Sequence, residues 1–149
     1  MSERAREVAL DRVQQEMRAV LQRAKRAVGE RAHAVHPGLQ GASYLLLEWL
    51  ARSEPLRASE IVEALGCDKG ALSRQLQHLE EVGLVERTPD PCDRRATLVS
   101  VTAAARTRLA EVDTSATRDL STRLAGWTAE DLDELASRLA GYNRALADV

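Results

Sequence analysis

A chain of 149 residues, 44% apolar and 30% charged, fits one folded domain with a real core and is not compositionally disordered. It lacks the run of roughly 18 apolar residues that a membrane span needs, so no membrane partner is expected. Its formal charge of -2 argues against generic phosphate binding through a strongly basic surface, and any nucleic-acid contact has to be local.

The opening stretch "MSERAREVALDRVQQEM" carries charges at helical spacing instead of a continuous apolar run. It reads as neither signal peptide nor anchor, and the expected location is the cytoplasm. From Leu10 the apolar residues Leu10, Val13, Met17, Val20, Leu21, Ala24 and Val28 recur every three or four positions, the mark of one face of a long helix. The segment "HAVHPGLQG" ends it with a proline and two glycines. His33 and His36, three apart at this end, are too few for a zinc site, and no metal or other cofactor is expected.

A second helix over Ala42 to Arg52 contains "YLLLEWL", too apolar all round for a surface helix, and should form a buried spine. After the break "SEPL", the stretch "SEIVEALG" predicts a short helix closed by Gly66. "CDKGALSRQLQHLEEVG" predicts a longer one closed by Gly83. Asp68 suits the N-cap of the longer helix, with Cys67 and Leu72 spaced as a hydrophobic staple. On that helix Leu72, Leu76 and Leu79 form the inward stripe. Gly70, Arg74, Gln77 and His78 then point outward, with Lys69 and Ser73 on the flanks.

Two short β-like runs follow, "LVERT" and "ATLVSV", which read as a hairpin across the loop "TPDPCDRR". Pro89 and Pro91 stiffen this loop and let it project Arg94 and Arg95. Asp93 stands two residues before Arg95, where a charge-assisted bond would orient the guanidinium. Thr102 caps a further helix with Leu109, Val112, Ala116, Leu120 and Leu124 on one face. "WTAEDL" then opens a last helix through a Thr128–Asp131 capping box, with a leucine stripe from Leu132 to Leu146.

A short helix, a tight turn, a longer helix and a hairpin are the order of a winged helix-turn-helix. The fold expected is mainly α with a small β-hairpin wing. It is one domain over 1–149, with a winged helix-turn-helix lobe over 39–102 and a wing over 84–102. Arg and Gln offer paired donors or donor–acceptor edges that match guanine and adenine in the major groove. Lys69 suits a phosphate, and Gly70 lets the backbone approach closely. An arginine on the loop suits a narrow minor groove.

The run "DKGALSRQLQHLEEVGLVERTPDPCDRRATLVSVT" resembles the recognition helix and wing of the MarR (multiple antibiotic resistance regulator) family, whose wing hallmark is Asp-x-Arg followed by a short strand ending in Thr. Here that hallmark is Asp93, Arg94, Arg95 and then "ATLVSVT". The resemblance is closest over residues 56 to 106. It implies a homodimeric transcriptional regulator on a pseudo-palindromic double-stranded DNA operator, with a repressor as the first expectation and an activator left open. It further implies Arg95 in the minor groove supported by Asp93, and Ser73, Arg74 and Gln77 facing the bases. Segments 1–34 and 103–149 would supply the dimer interface.

The resemblance also implies a small effector, phenolic or carboxylate-bearing, in a crevice bordered by His33, His36, Tyr44 and Trp49. For Tyr44 and Trp49 the plainer reading is core filling. Arg57 departs from the family's usual Ser or Thr at the start of the first motif helix. Ala105 replaces a glycine, and Cys92 stands where Glu or Ala is common. Cys92 beside Arg94 and Arg95 raises the alternative of a thiol-based redox switch against that of an incidental surface cysteine. The peroxide-sensing branch carries its cysteine in the first helix, where this chain has none. A second alternative is a winged-helix protein-interaction module without DNA binding. The five Lys or Arg against six Asp or Glu in residues 68–97 favour that module, and the placement of Lys69, Arg74 and Arg95 opposes it. No catalytic constellation is visible.

Overall fold

The computed structural model describes residues 3–147. The chain runs α1 (Glu3–Val35), α2 (Gly41–Ala51), β1 (Leu56–Arg57), α3 (Ala58–Leu65), α4 (Lys69–Glu81), β2 (Val85–Asp90), β3 (Asp93–Val101), α5 (Ala103–Arg123) and α6 (Ala129–Leu146). Helices dominate and the sheet is small, as the periodicities require. Two compact units divide within α5, one ending at Val112 and the other starting at Asp113. That boundary lies inside the segment 103–149 that the sequence groups as one.

In the first unit α1 stays helical past the last periodic position, Val28, and stops at Val35, just before His36–Pro37. The residue before a proline disfavours the α region, which sets this end. Only the last turns of α1 enter the core, through Ala32 and Val35. Tyr44, Leu46, Leu47 and Leu50 of α2 are buried beside them, whereas Leu45 is 51% exposed, so the spine has one open edge. Ile61 of α3, the stripe Leu72, Leu76 and Leu79 of α4, and Leu84, Val85, Val99, Val101 and Ala105 complete the core.

Glycine makes two of the joints. Gly66 caps α3 at φ 58° and Gly83 follows α4 at φ 72°, both in the left-handed region where a Cβ is strained. Asp68 Oδ1 accepts from the Ala71 backbone N–H at 2.7 Å, fixing the start of α4. Cys67, at the staple position, is half-buried and packs against the core. Thr102 Oγ1 accepts from the Ala105 N–H at 3.2 Å and donates to the Gly83 carbonyl at 3.0 Å, joining the start of α5 to the end of α4.

Two expectations about the wing need correction. The sheet has three antiparallel strands in the order β1-β3-β2, not two, because Leu56 and Arg57 pair with Val99 and Leu98. A two-residue strand carries no alternation, so periodicity could not reveal it. The loop "TPDPCDRR" is also mostly strand: β2 runs through Pro89 to Asp90, β3 begins at Asp93, and the turn is Pro91–Cys92 alone. The register is regular from Val85↔Val101 to Pro89↔Thr97 and then jumps to Asp90↔Asp93. Arg94, Arg95 and Ala96 therefore lie on β3 without cross-strand partners, a bulge that re-aims their side chains.

In the second unit, Thr128 opens α6. Its Oγ1 accepts from the Asp131 N–H at 3.1 Å, and Asp131 Oδ2 accepts from the Thr128 N–H at 2.9 Å. The capping box is complete with Asp in the usual Glu place.

Candidate nucleic-acid interface

With Leu72, Leu76 and Leu79 buried, α4 turns Lys69, Gly70, Ser73, Arg74 and Gln77 to solvent. Lys69 and Arg74 have no carboxylate partner among the described residues. A Cβ at Gly70 would sit 3.3 Å from Asp68 Oδ1 and 3.6 Å from Arg74 Nη1, so the glycine leaves room for the arginine to lie along the helix. Gln77 Nε2 donates to Glu81 Oε1 at 3.0 Å, which engages one edge of its amide. His78 is only half-exposed: its Nε2 lies 3.2 Å from the Gly38 carbonyl, pinning the back of α4 to the α1–α2 turn.

The wing adds Arg94 and Arg95, both exposed on the bulge and both without a carboxylate partner among the described residues. Asp93 does not hold the Arg95 guanidinium as expected. Its Oδ1 accepts from the Arg95 backbone N–H at 3.0 Å, and its Oδ2 lies 3.9 Å from Arg57 Nη1. The bulge brings the amide rather than the side chain of Arg95 onto the carboxylate, so Asp93 shapes the backbone and leaves the guanidinium open. Arg87 is compensated, with its Nε donating to Glu80 Oε2 at 2.9 Å.

The sequence reading missed Asp90, which is 7% exposed. Its Oδ1 accepts from the Cys92 N–H at 2.8 Å and its Oδ2 accepts from Arg57 Nε at 2.7 Å. The Cys92 amide first, and Arg57 second, hold this carboxyl below its ordinary value, and Asp90 in turn raises Arg57. The carboxylate contribution is therefore present above the ordinary Asp range and is lost only as pH falls through the lowered value. An Asp preceding Pro is a turn signal, and an Arg where a cap is usual is an anomaly. Together they were the available clue.

Of the four residues expected at the effector crevice, His36 and Tyr44 make local side-chain hydrogen bonds. His36 Nδ1 accepts from the Gly38 N–H at 3.1 Å, and His33 is exposed in the last turn of α1. Tyr44 is buried and donates to Glu48 Oε1 at 2.9 Å, and burial first, then Glu48, pushes its phenol up to about 12. Trp49 packs half-buried against the core. Cys92 is exposed at the wing turn. Among the described residues no helix is long and apolar enough to cross a membrane.

The start of α3 has no Ser or Thr cap; Glu60 Oε2 accepts from the Arg57 N–H at 2.7 Å instead. Two short helices joined through Gly66, followed by a three-stranded wing whose bulge carries open arginines, define a winged helix-turn-helix regulator. The MarR family model matches residues 38–96. Over 110 residues the chain is 30% identical to the uncharacterized HTH-type transcriptional regulator YxaD of Bacillus subtilis (strain 168), covering 74% of this chain and 77% of that one. The chain belongs to the MarR family of transcriptional regulators.

Solved structures share the fold. The YusO protein from Bacillus subtilis is similar with a TM-score of 0.77 at 23% identity, over 97% of this chain and 99% of that one. A mutant MarR from E. coli complexed with operator DNA is similar with a TM-score of 0.60 at 25% identity, over 95% and 99%.

Proposed function

We propose that the protein is a repressor that acts as a homodimer on a pseudo-palindromic double-stranded DNA operator, with α4 in the major groove and Arg95 in the minor groove. One observation carries this reading. In a chain of net charge -2, the cations Lys69, Arg74, Arg94 and Arg95 are exposed without carboxylate partners among the described residues, on α4 and the wing bulge of one lobe, while Arg57 and Arg87 nearby are neutralised. Ser73 and Gln77 share the outward face of α4 and suit base edges. The MarR–operator complex among the similar structures supports operator DNA as the partner. Asp93 acts here through the Arg95 backbone. Such a protein works in the cytoplasm by binding, not by catalysis.

The homodimer would be built from 1–34 and 103–149, with 39–102 as the DNA-binding lobe. Exposed apolar side chains support this in each unit taken by itself: Leu10, Val13, Val20 and Leu21 on α1, and Leu132, Leu135, Leu139 and Leu146 on α6. A contiguous exposed apolar face on a helix signals a partner. A phenolic or carboxylate-bearing effector near His33, His36, Tyr44 and Trp49 would modulate binding. The test is a titration of the duplex upstream of its own gene, with and without small phenols and aryl carboxylates. Tight, salt-sensitive binding supports the regulator. Absence of any binding to that duplex or to competitor DNA favours the protein-interaction module.

A further inference from the structure

We propose that Arg57, outside the DNA-facing set, is a positioning residue that locks the wing in its bulged register through Asp90 and Asp93, and so controls DNA affinity without touching DNA. This rests on the DNA-binding reading above. Arg57 is fixed at three points. Its backbone pairs with Leu98 of β3, its N–H donates to Glu60 Oε2, and its guanidinium reaches the neck of the hairpin. There Nε and Nη2 both meet Asp90 Oδ2, at 2.7 and 2.5 Å, while Nη1 lies 3.9 Å from Asp93 Oδ2. One cation thus bridges two carboxylates that the register sets opposite each other.

That pairing needs such a bridge. Like charges directly opposite in an antiparallel ladder repel, and a nearly buried carboxylate stripped of its partner is costly. If the regular register continued past Pro89↔Thr97, Asp90 would face Ala96, and Arg94 and Arg95 would fall in or next to the turn. A slip of register changes which face every following side chain occupies. The Arg57–Asp90 contact selects the bulged alternative, in which Asp93 also holds the Arg95 amide. Arg57 further screens both carboxylates from an approaching phosphate. Its position at the very start of α3 ties the tip of the wing to the first helix of the helix-turn-helix.

The experiment uses the full chain with Arg57→Ala, Arg57→Lys, Arg95→Ala and the Arg57→Ala/Arg95→Ala double variant. It reads affinity for a labelled duplex from upstream of the gene at several salt concentrations, and backbone hydrogen exchange over residues 90–96. Arg57→Ala is expected to weaken binding by about tenfold or more. It should speed exchange at the Cys92 and Arg95 amides and add little to Arg95→Ala in the double variant. Arg57→Lys, which keeps the charge and loses the fork, should recover part of the affinity and part of the protection. Additive losses with a reduced salt slope would make Arg57 a phosphate contact and overturn the inference. So would unchanged affinity and exchange in Arg57→Ala. If Arg95→Ala binds DNA as well as wild type does, the DNA reading itself falls. If Arg95→Ala loses binding while Arg57→Ala keeps it, this inference alone falls.

Discussion

Replacing Arg95 with Ala probes the wing most directly, and its effect can be worked from the charges. Among the described residues, α4 and the wing expose four cations without carboxylate partners, Lys69, Arg74, Arg94 and Arg95, and the proposed dimer would carry twice that number. If each neutralises one phosphate, the plot of log affinity against log salt has a slope of about -7. Removing Arg95 from both protomers brings it to about -5 and costs about 1 to 3 kcal/mol at fixed salt. Arg87→Ala is the matched control. Its guanidinium is paired with Glu80 at 2.9 Å, so its loss leaves the slope near the wild-type value. Fluorescence anisotropy at four or more salt concentrations, with circular dichroism to verify the fold, measures both. A slope in Arg95→Ala equal to wild type, or an equal fall in Arg87→Ala, would refute the assignment of the open arginines to DNA.

Other outcomes follow from the packing. Leu76 is fully buried at the centre of the α4 stripe, so Leu76→Ala should cost about 2 to 5 kcal/mol in urea unfolding. Gly83 holds φ 72°, and Gly83→Ala should destabilise by about 1 kcal/mol or more through backbone strain alone. The Tyr44 phenol is raised from 10.0 to about 12, so the unfolded chain loses this proton first and stability falls as pH climbs through that window. Tyr44→Phe should flatten that part of the pH profile of the urea midpoint. Leu139 is exposed on α6, and Leu139→Lys should shift sedimentation toward monomer while the helix content stays unchanged.

Most of the helices were legible because they carry their own punctuation. Pro37 stops α1, Gly66 and Gly83 close α3 and α4, and Asp68, Thr102 and Thr128 open the helices that follow them. The outward face of α4 followed from three leucines. What remained hidden depends on residues distant in sequence. β1 is two residues long and exists only because β3 is there to pair with it. The bulge at Arg94–Ala96 is a register event, decided across strands rather than along one. Asp90 and Arg57 are 33 positions apart, and neither alone announces the other. The misreading of Asp93 has the same origin, since its choice between the amide and the guanidinium of Arg95 is set by the bulge.

The open cations also bear on how such a protein would find its site. Fields of exposed charges fade over about 10 Å at moderate salt, and beyond that distance DNA meets a chain whose net charge is slightly negative. Attraction begins only when α4 and the wing tip are already close to the groove. A searcher built this way would gain little long-range steering, yet its phosphate contacts would hold it on any sequence once it has arrived. The first encounter would then be set by the number of copies in the cell, and the search that follows by salt-sensitive movement along the chromosome until the operator fits.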